Sequence, residues 1–210
     1  MYLSSFKHRL DKIALALMSN VEAKNSSVKA YGIGEDLSIN LFCWRGDMLK
    51  VMLQLRPDMQ KADPIIRFEA ISNAACITRR GWSIDAFTMT SEAYVSDDPM
   101  LTRGIELKEA YVNPEYKVDE CLTVMHVENG YSTFVAKPYK YDVPRKVIWG
   151  EEKYHPGKTL VRNQDGLYPK MFNRVLTEID TELEPEEFKI FHETLSVGLH
   201  EAGFYCQSFD

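Results

Sequence analysis

Residues 121–136 constrain the fold more than any other part of the sequence. An Asn-Gly pair stands at 129–130 in their centre, and this pair is preferred in the two-residue turns that join antiparallel strands. Counting outward from the turn places Met125 opposite Phe134. Apolar residues fall on both faces of the resulting hairpin, which is typical of central strands that are covered on both sides.

A second hairpin is predicted over residues 39–55. Apolar residues recur along both halves of this segment, and Arg-Gly-Asp at 45–47 is a turn sequence. A three-residue loop at 45–47 pairs Leu41 with Val51 and keeps the apolar side chains on one face. Because a one-residue slip would exchange the two faces, we expect the three-residue loop.

Apolar residues at helical spacing predict four helices. An amphipathic helix is expected near the N-terminus and ends near Lys24. In the central helix, Asp63 is the expected N-cap, Pro64 occupies the first turn, Ile65 belongs to the inner face and Gly81 ends the helix. Apolar residues line two further helices: Phe172, Val175, Leu176 and Ile179 in one, and Phe188, Phe191, Leu195, Leu199 and Ala202 in the other.

These elements predict an α/β protein of the α+β type. We expect a hairpin-rich, mostly antiparallel or mixed sheet of about five to six strands, flanked by N-terminal, central and two C-terminal helices. Residues 1–210 are expected to form a single domain. Two segments, 97–119 and 150–168, are expected to be irregular.

The composition is typical of a globular protein. Hydrophobic residues make up 45% and charged residues 27% of the 210 residues, which argues against disorder. The net charge of −6 argues against a general polyanion binder and leaves a local basic surface open. No apolar stretch approaches the ~18 residues of a membrane-spanning helix, so we expect no membrane partner.

The cysteines argue against a metal site. Cys43, Cys76, Cys121 and Cys206 lie far apart in the sequence, and no CxxC pair occurs. The first three lie in apolar segments, which is typical of buried thiols in a reducing compartment. We therefore predict a cytoplasmic protein with no metal and no cofactor.

One short segment is similar to a catalytic motif. Asp98, Glu106 and Lys108 resemble the carboxylate–strand–ExK pattern of restriction-type nucleases. That resemblance implies that the Asp and the Glu hold Mg²⁺ while the Lys steadies the attacking water. ExK triplets recur elsewhere in the chain, and a charged strand or exposed loop explains the segment equally. A metal-dependent nuclease or phosphodiesterase is therefore an alternative hypothesis.

The segment 137–146, called here the basic segment, combines basic residues with tyrosines and prolines. Such combinations bind single-stranded nucleic acid or acidic partners. Lys and Pro also protect edge strands from aggregation, so a purely structural role remains open. The predicted partner-binding residues are Lys137, Tyr139, Lys140, Tyr141, Arg145 and Lys146.

His126 lies on the predicted hairpin of residues 121–136, opposite Thr133. No GxSxG motif accompanies it, and HExxH is absent from the chain. We therefore expect a surface imidazole with satisfied hydrogen bonds rather than a general base.

The leading hypothesis is a non-catalytic binding or accessory protein that acts through surface contacts with a protein partner or with itself. It assigns no catalytic residues. It depends on the irregular segments, since loops often carry function, and on surface charge. The basic segment and the acidic residues at 178–187 have opposite signs, so head-to-tail self-association is a hypothesis. A nucleic-acid-binding module that uses the basic segment is the other alternative.

Overall fold

An antiparallel sheet of eight strands forms the centre of the computed structural model. The structure describes residues 37–96, 113, 115–128, 130–142, 146–151, 153–159, 167–179 and 185–209. The strands are β1 (Asn40–Arg45), β2 (Met48–Leu55), β3 (Ala86–Ser96), β4 (Val118–Glu128), β5 (Tyr131–Asp142), β6 (Lys146–Trp149), β7 (Lys153–Thr159) and β8 (Phe204–Ser208). The helices are α1 (Pro57–Gln60), α2 (Pro64–Trp82), α3 (Leu167–Glu178) and α4 (Pro185–Glu201).

The strand order defines two ends of the sheet. It runs β6-β5-β4-β3-β1-β2-β8, and β7 also pairs with β5. All of these pairs are antiparallel. The predicted α+β class, with a hairpin-rich antiparallel sheet flanked by helices, is confirmed. Strands β7 and β8 were not predicted from the sequence.

The hairpin of β4 and β5 forms in the predicted register. Met125 lies opposite Phe134, and Glu128 and Tyr131 are the last pair before the turn. Gly130 has a φ of 74°, which the left-handed backbone of a two-residue turn requires.

The hairpin of β1 and β2 has a different register from the predicted one. Leu41 lies opposite Leu53, and the loop contains two residues, Gly46 and Asp47. The prediction of a three-residue loop was therefore wrong. The register shifts within the hairpin because a β-bulge accommodates Lys50 as an extra residue. The bulge lets a two-residue turn coexist with a shared apolar face.

Helix α2 begins as predicted and ends later. The Asp63 side chain accepts a hydrogen bond from the Ile65 backbone N–H at 2.8 Å, and the proline between them occupies the first turn. The prediction that Gly81 ends the helix was wrong. The helix continues through this buried glycine to Trp82 and ends at Ser83, whose φ is 51°.

The apolar faces of the longer helices pack against the sheet. In α3, Phe172 and Val175 are buried as predicted, and so is Leu199 of α4. The assignment of Ile65 to the inner face of α2 was wrong, because its side chain is exposed. Ile65 precedes the buried Ile71 by six residues, and 100° per residue places the two on different sides of the helix.

Both faces of the sheet carry a buried apolar cluster. On the face that we call the helix face, α2, α3 and α4 contribute to the larger cluster together with residues of β1–β4. The cluster on the opposite face, called here the second face, contains Leu37, Phe42, Trp44, Ala86, Leu122, Val124, Val135 and Tyr139. The strands are therefore buried on both sides, as the sequence of β4 and β5 predicts.

Strand β5 changes its outer neighbour at Pro138. Residues 131–136 pair with β7, and residues 139–142 pair with β6. Pro138 has no N–H to donate, and its carbonyl accepts a hydrogen bond from the Gly150 N–H at 2.7 Å. A Cβ at position 150 would lie 3.0 Å from the Pro138 Cβ. The missing side chain at 150 thus permits the close approach at this junction.

Some predicted features lie outside the described residues, among them the N-terminal helix and residues 97–112. Within the segment 150–168, β7 and the start of α3 stand where irregular structure was expected. No helix in the described part of the chain is long and apolar enough to cross a membrane. The single domain over residues 1–210 stays a prediction.

Candidate functional site

Strand β8 lies at one end of the sheet and is the candidate binding site. It pairs with β2 along one side, and no other described strand pairs with it. Phe204 belongs to the cluster of the helix face, and the four residues that follow it are exposed. Among them, Tyr205 is 53% exposed. Within the described part of the chain, one side of β8 therefore has no neighbouring strand, and we call it the open side.

The hydrogen bonds to β2 determine which backbone groups of β8 point to this open side. The Arg56 N–H donates to the Gly203 carbonyl at 2.9 Å, and the Phe209 N–H donates to the Lys50 carbonyl at 2.8 Å. Both bonds join directly opposed residues, and such bonded pairs alternate with non-bonded pairs along an antiparallel ladder. The odd-numbered residues of β8 therefore bond to β2. The backbone groups of the even-numbered residues point to the open side: Phe204, Cys206 and Ser208.

The exposed side chains of β8 lie on both faces of the sheet. Cys206 is opposite Leu53 of β2, whose side chain is part of the helix-face cluster. Cys206 is nevertheless exposed, so α4 does not cover this part of the edge. Tyr205 and Gln207 alternate with it and lie on the second face. The open side is thus accessible from both faces.

The two ends of the sheet differ in how they are protected against strand pairing. Strands β6 and β7 contain lysines, and β7 also contains Pro156. Lysine and proline on an edge strand disfavour pairing with further chains. Strand β8 has the sequence Phe-Tyr-Cys-Gln-Ser, without charge or proline. In its own sequence, the protective feature of β8 is its short length of five residues.

A tight turn fixes the position of β8 relative to α4. The Ala202 N–H donates to the Gly198 carbonyl at 2.9 Å, and the Gly203 N–H donates to the His200 carbonyl at 3.0 Å. Gly203 has a φ of 95°, and a Cβ there would meet the side chain of Met59. The chain therefore passes from helix to strand within two residues, Ala202 and Gly203, and the conformation of the second one suits glycine.

A buried chain of polar side chains on the second face is another candidate site. Trp44 Nε1 donates to Thr88 Oγ1 at 2.9 Å, and Thr88 Oγ1 lies 2.8 Å from His126 Nδ1. His126 Nε2 lies 3.0 Å from Glu128 Oε2. A hydroxyl, an imidazole and a carboxylate in this order are also the parts of a hydrolase triad. A catalytic role would also require that a substrate can reach the Thr88 hydroxyl.

The Thr88 hydroxyl is not accessible. Thr88 is 0% and His126 is 4% exposed. One assignment of protons satisfies the whole chain: His126 Nε2–H donates to Glu128, and the Thr88 hydroxyl donates to Nδ1 while it accepts from Trp44. These hydrogen-bonded side chains link β1, β3 and β4 inside the protein. The prediction of a surface imidazole was wrong, because the second face is buried; satisfied hydrogen bonds at both ring nitrogens are confirmed.

The basic segment does not form one exposed edge. Residues 137–142 belong to β5, in which Lys137 and Pro138 pair with β4 and residues 139–142 pair with β6. The Tyr139 ring was predicted at the surface, and this was wrong: it is 1% exposed and its hydroxyl donates to Glu92. The ring packs in the second-face cluster instead, and Lys137 is half-buried. The side chains of Lys140, Tyr141, Arg145 and Lys146 lie outside the described part, so their role in binding stays a prediction.

Asp98, Glu106 and Lys108 also lie outside the described residues. The nuclease hypothesis that depends on them therefore stays a prediction from the sequence. Within the described ranges, no group of three His, Cys, Asp or Glu side chains is close enough to hold a metal ion.

A groove of about 450 Å³ lies between α2 and α3. Phe68 and Met171 are among its apolar residues. Arg174 at its rim forms an ion pair with Glu178, in which Nε and Oε2 are 2.6 Å apart. Burial raises the pKa of the Cys76 thiol that lines the groove, which makes this thiol a weak nucleophile. The groove thus has apolar volume without an evident reactive group.

Sequence reasoning missed β8, although a signal for it was present. A run rich in aromatic residues follows the glycine that ends the last predicted helix, and such a run favours a strand.

Comparison of the chain with protein-family models, with curated proteins and with solved structures finds no match.

Proposed function

We propose that this protein is a non-catalytic binding or accessory protein that acts through surface contacts with a protein partner or with itself. The open side of β8 carries this proposal. An extended segment of another chain adds to such an edge, and hydrogen bonds between the two main chains provide affinity. The exposed side chains of Tyr205, Cys206 and Gln207 provide specificity, because alternate residues contact the partner on alternate faces.

A proline at position 206 tests this function. The backbone N–H of Cys206 points to the open side, so Cys206→Pro removes a donor from the edge and none from the ladder with β2. Cys206→Ser is the matched control, since it changes the same side chain and keeps the N–H. Each protein is recovered from its own cells at low salt and measured by native mass spectrometry.

We expect a co-purifying protein or a discrete homo-oligomer with the original chain and with Cys206→Ser. We expect its loss with Cys206→Pro. Circular dichroism and the urea midpoint establish that Cys206→Pro is folded, and Ser208→Pro replaces it if it is not. A bare monomer from all variants, carrying a divalent metal or a nucleotide, would overturn the proposal.

A further inference from the structure

The outward-facing backbone groups of β8 are arranged symmetrically about Cys206. They belong to Phe204, Cys206 and Ser208, and the central residue is therefore equally distant along the strand from the other two. Pairing of an edge with itself about a two-fold axis is antiparallel. A symmetric edge of this kind is complementary to a second copy of itself.

We propose that the partner of β8 is a second copy of this chain, paired antiparallel in the register that places Cys206 opposite Cys206 of the second copy. This inference rests on the proposed function and names the partner for the same site. In this register, Phe204 lies opposite Ser208 of the other copy, and each of the three outward-facing pairs exchanges two hydrogen bonds. The two sheets become one sheet that is continuous through the two-fold axis.

Other registers satisfy fewer groups. A shift of two residues leaves one outward-facing residue of each copy beyond the end of the partner strand. A shift of one residue places outward-facing residues opposite residues that already bond to β2. The register centred on Cys206 is therefore the one that satisfies all outward-facing groups of this short strand.

The side chains are compatible with this pairing. Tyr205 of each copy lies opposite Gln207 of the other on the second face, and no charged residue occurs in β8. Each chain has a net charge of −6, so acidic residues in the contact strand would add local repulsion to the repulsion between the chains. The exposure of Cys206 on the helix face leaves room for the second strand beside α4.

A charge exchange at positions 205 and 207 tests the register. The double variant Tyr205→Lys/Gln207→Lys places lysine opposite lysine twice, whereas Tyr205→Lys/Gln207→Glu places lysine opposite glutamate twice. Both variants lose the tyrosine, so they are matched. The first has a net charge of −4, from −6 with two added positive charges, and the second remains at −6. The weaker repulsion between whole chains therefore favours association of the first variant. The opposed lysines in the proposed register have the contrary effect, so a weaker dimer of the first variant would be due to the register.

Sedimentation velocity from about 1 µM to 1 mM protein measures the association. We expect a reversible monomer–dimer equilibrium for the original chain. We expect the lysine–glutamate variant to dimerise about tenfold more tightly than the double-lysine variant, because opposed like charges on paired strands repel and opposite charges attract. The difference should decrease at high salt.

Cross-linking at Cys206 is an independent readout. Directly opposed residues of a bonded pair have Cα atoms about 5.5 Å apart, within the range that a disulfide spans. The oxidant diamide accepts two electrons and two protons from the two thiols and becomes a hydrazine as the disulfide forms. We expect a dimer linked through Cys206, no link in Cys206→Ser, and a lower yield in the double-lysine variant.

Three outcomes separate this inference from the proposed function. Equal dimerisation of the two charge variants would overturn the register. A monomer at all concentrations would overturn the second copy as partner, while a co-purifying protein that Cys206→Pro alone abolishes would leave the proposed function intact. A monomer whose complexes do not change with Cys206→Pro would contradict both.

Discussion

Thr88 connects three strands through one oxygen atom. Its Oγ1 accepts from Trp44 of β1 and lies next to His126 of β4. We expect Thr88→Val, which keeps the shape, to lower the free energy of unfolding by about 1–3 kcal/mol, because it removes two buried hydrogen bonds. Urea unfolding monitored by tryptophan fluorescence measures the change.

Thr90→Val is the matched control for Thr88→Val. Thr90 is on the same strand and the same face and is buried, but its Oγ1 has one longer hydrogen bond, 3.4 Å from Asn40 Nδ2. We expect a smaller cost for this control. Equal costs for the two substitutions would contradict a structural role of the buried polar chain.

Because of Cys43, we expect the free energy of unfolding to depend on pH in the alkaline range. The thiol is completely buried, and this burial raises its pKa to about 12. A thiol whose pKa is raised in the folded state stabilises that state fully below its unfolded pKa, near 8.5, and loses the contribution as pH rises toward 12. We therefore expect the free energy of unfolding to fall between about pH 9 and pH 11, by up to about 1 kcal/mol per pH unit.

The variant Cys43→Ala isolates this contribution. Its stability at pH 7 should be lower because of the cavity that it creates, but its decline above pH 9 should be shallower. Burial also raises the pKa values of Cys76, Cys206 and Tyr168, and these groups remain in both proteins. Parallel pH profiles of the two proteins would refute the assignment to Cys43.

At the scale of single residues, the sequence predicts which side chains share a face better than it predicts whether that face is covered. The predicted register places His126 opposite Thr133 correctly. Its exposure depends on Thr88 and Trp44, which are distant in the sequence, and on the packing of the second face. Tyr139 was assigned to the surface because basic residues are close to it in the sequence. Those neighbours do not indicate whether the face of the sheet that carries the Tyr139 side chain is buried.

At the scale of elements, the turn from α4 into β8 depends on Gly203. We expect Gly203→Ala to destabilise the protein by more than about 1 kcal/mol, because alanine tolerates a φ of 95° poorly and its Cβ would meet Met59. Gly46→Ala is the control, since Gly46 also has a positive φ, 55°, and a Cβ there meets nothing within 4 Å.

A second experiment separates the contact with Met59 from the backbone strain at Gly203. Chemical unfolding of the single variants and of Gly203→Ala/Met59→Ala forms a double-mutant cycle. We expect Met59→Ala to be less costly in the Gly203→Ala background than alone. If Gly203→Ala costs no more than Gly46→Ala, the turn does not position β8 as described.

The two hairpins illustrate what can be predicted about an element. An Asn-Gly turn defines a loop length, and the register of β4 and β5 follows from it. The hairpin of β1 and β2 combines a two-residue loop with a bulge at Lys50, and apolar alternation alone does not distinguish this from a longer loop. A bulge adds one residue to one strand, so it changes the count without changing the faces.

At the scale of the whole molecule, the fold class follows from local patterns and the strand order does not. Hairpins join neighbours in sequence, whereas β2 pairs with β8 across most of the chain. Strand β8 is short, and its role as an edge depends on which strands lie inside the sheet. The candidate binding surface was therefore not predictable from the residues that form it, and the basic segment was selected because its charges are visible in the sequence.

The central claim is that one side of β8 is open and is used for binding. Amide hydrogen exchange measured by NMR tests it residue by residue, since the amides of β8 alternate in direction. In dilute monomer we expect Tyr205 and Gln207 to be protected and Cys206 and Ser208 to exchange rapidly. When the dimer or a partner complex forms, the rapid amides should become protected too. Protection of all four amides in the dilute monomer, or rapid exchange of Cys206 and Ser208 within the complex, would contradict the account.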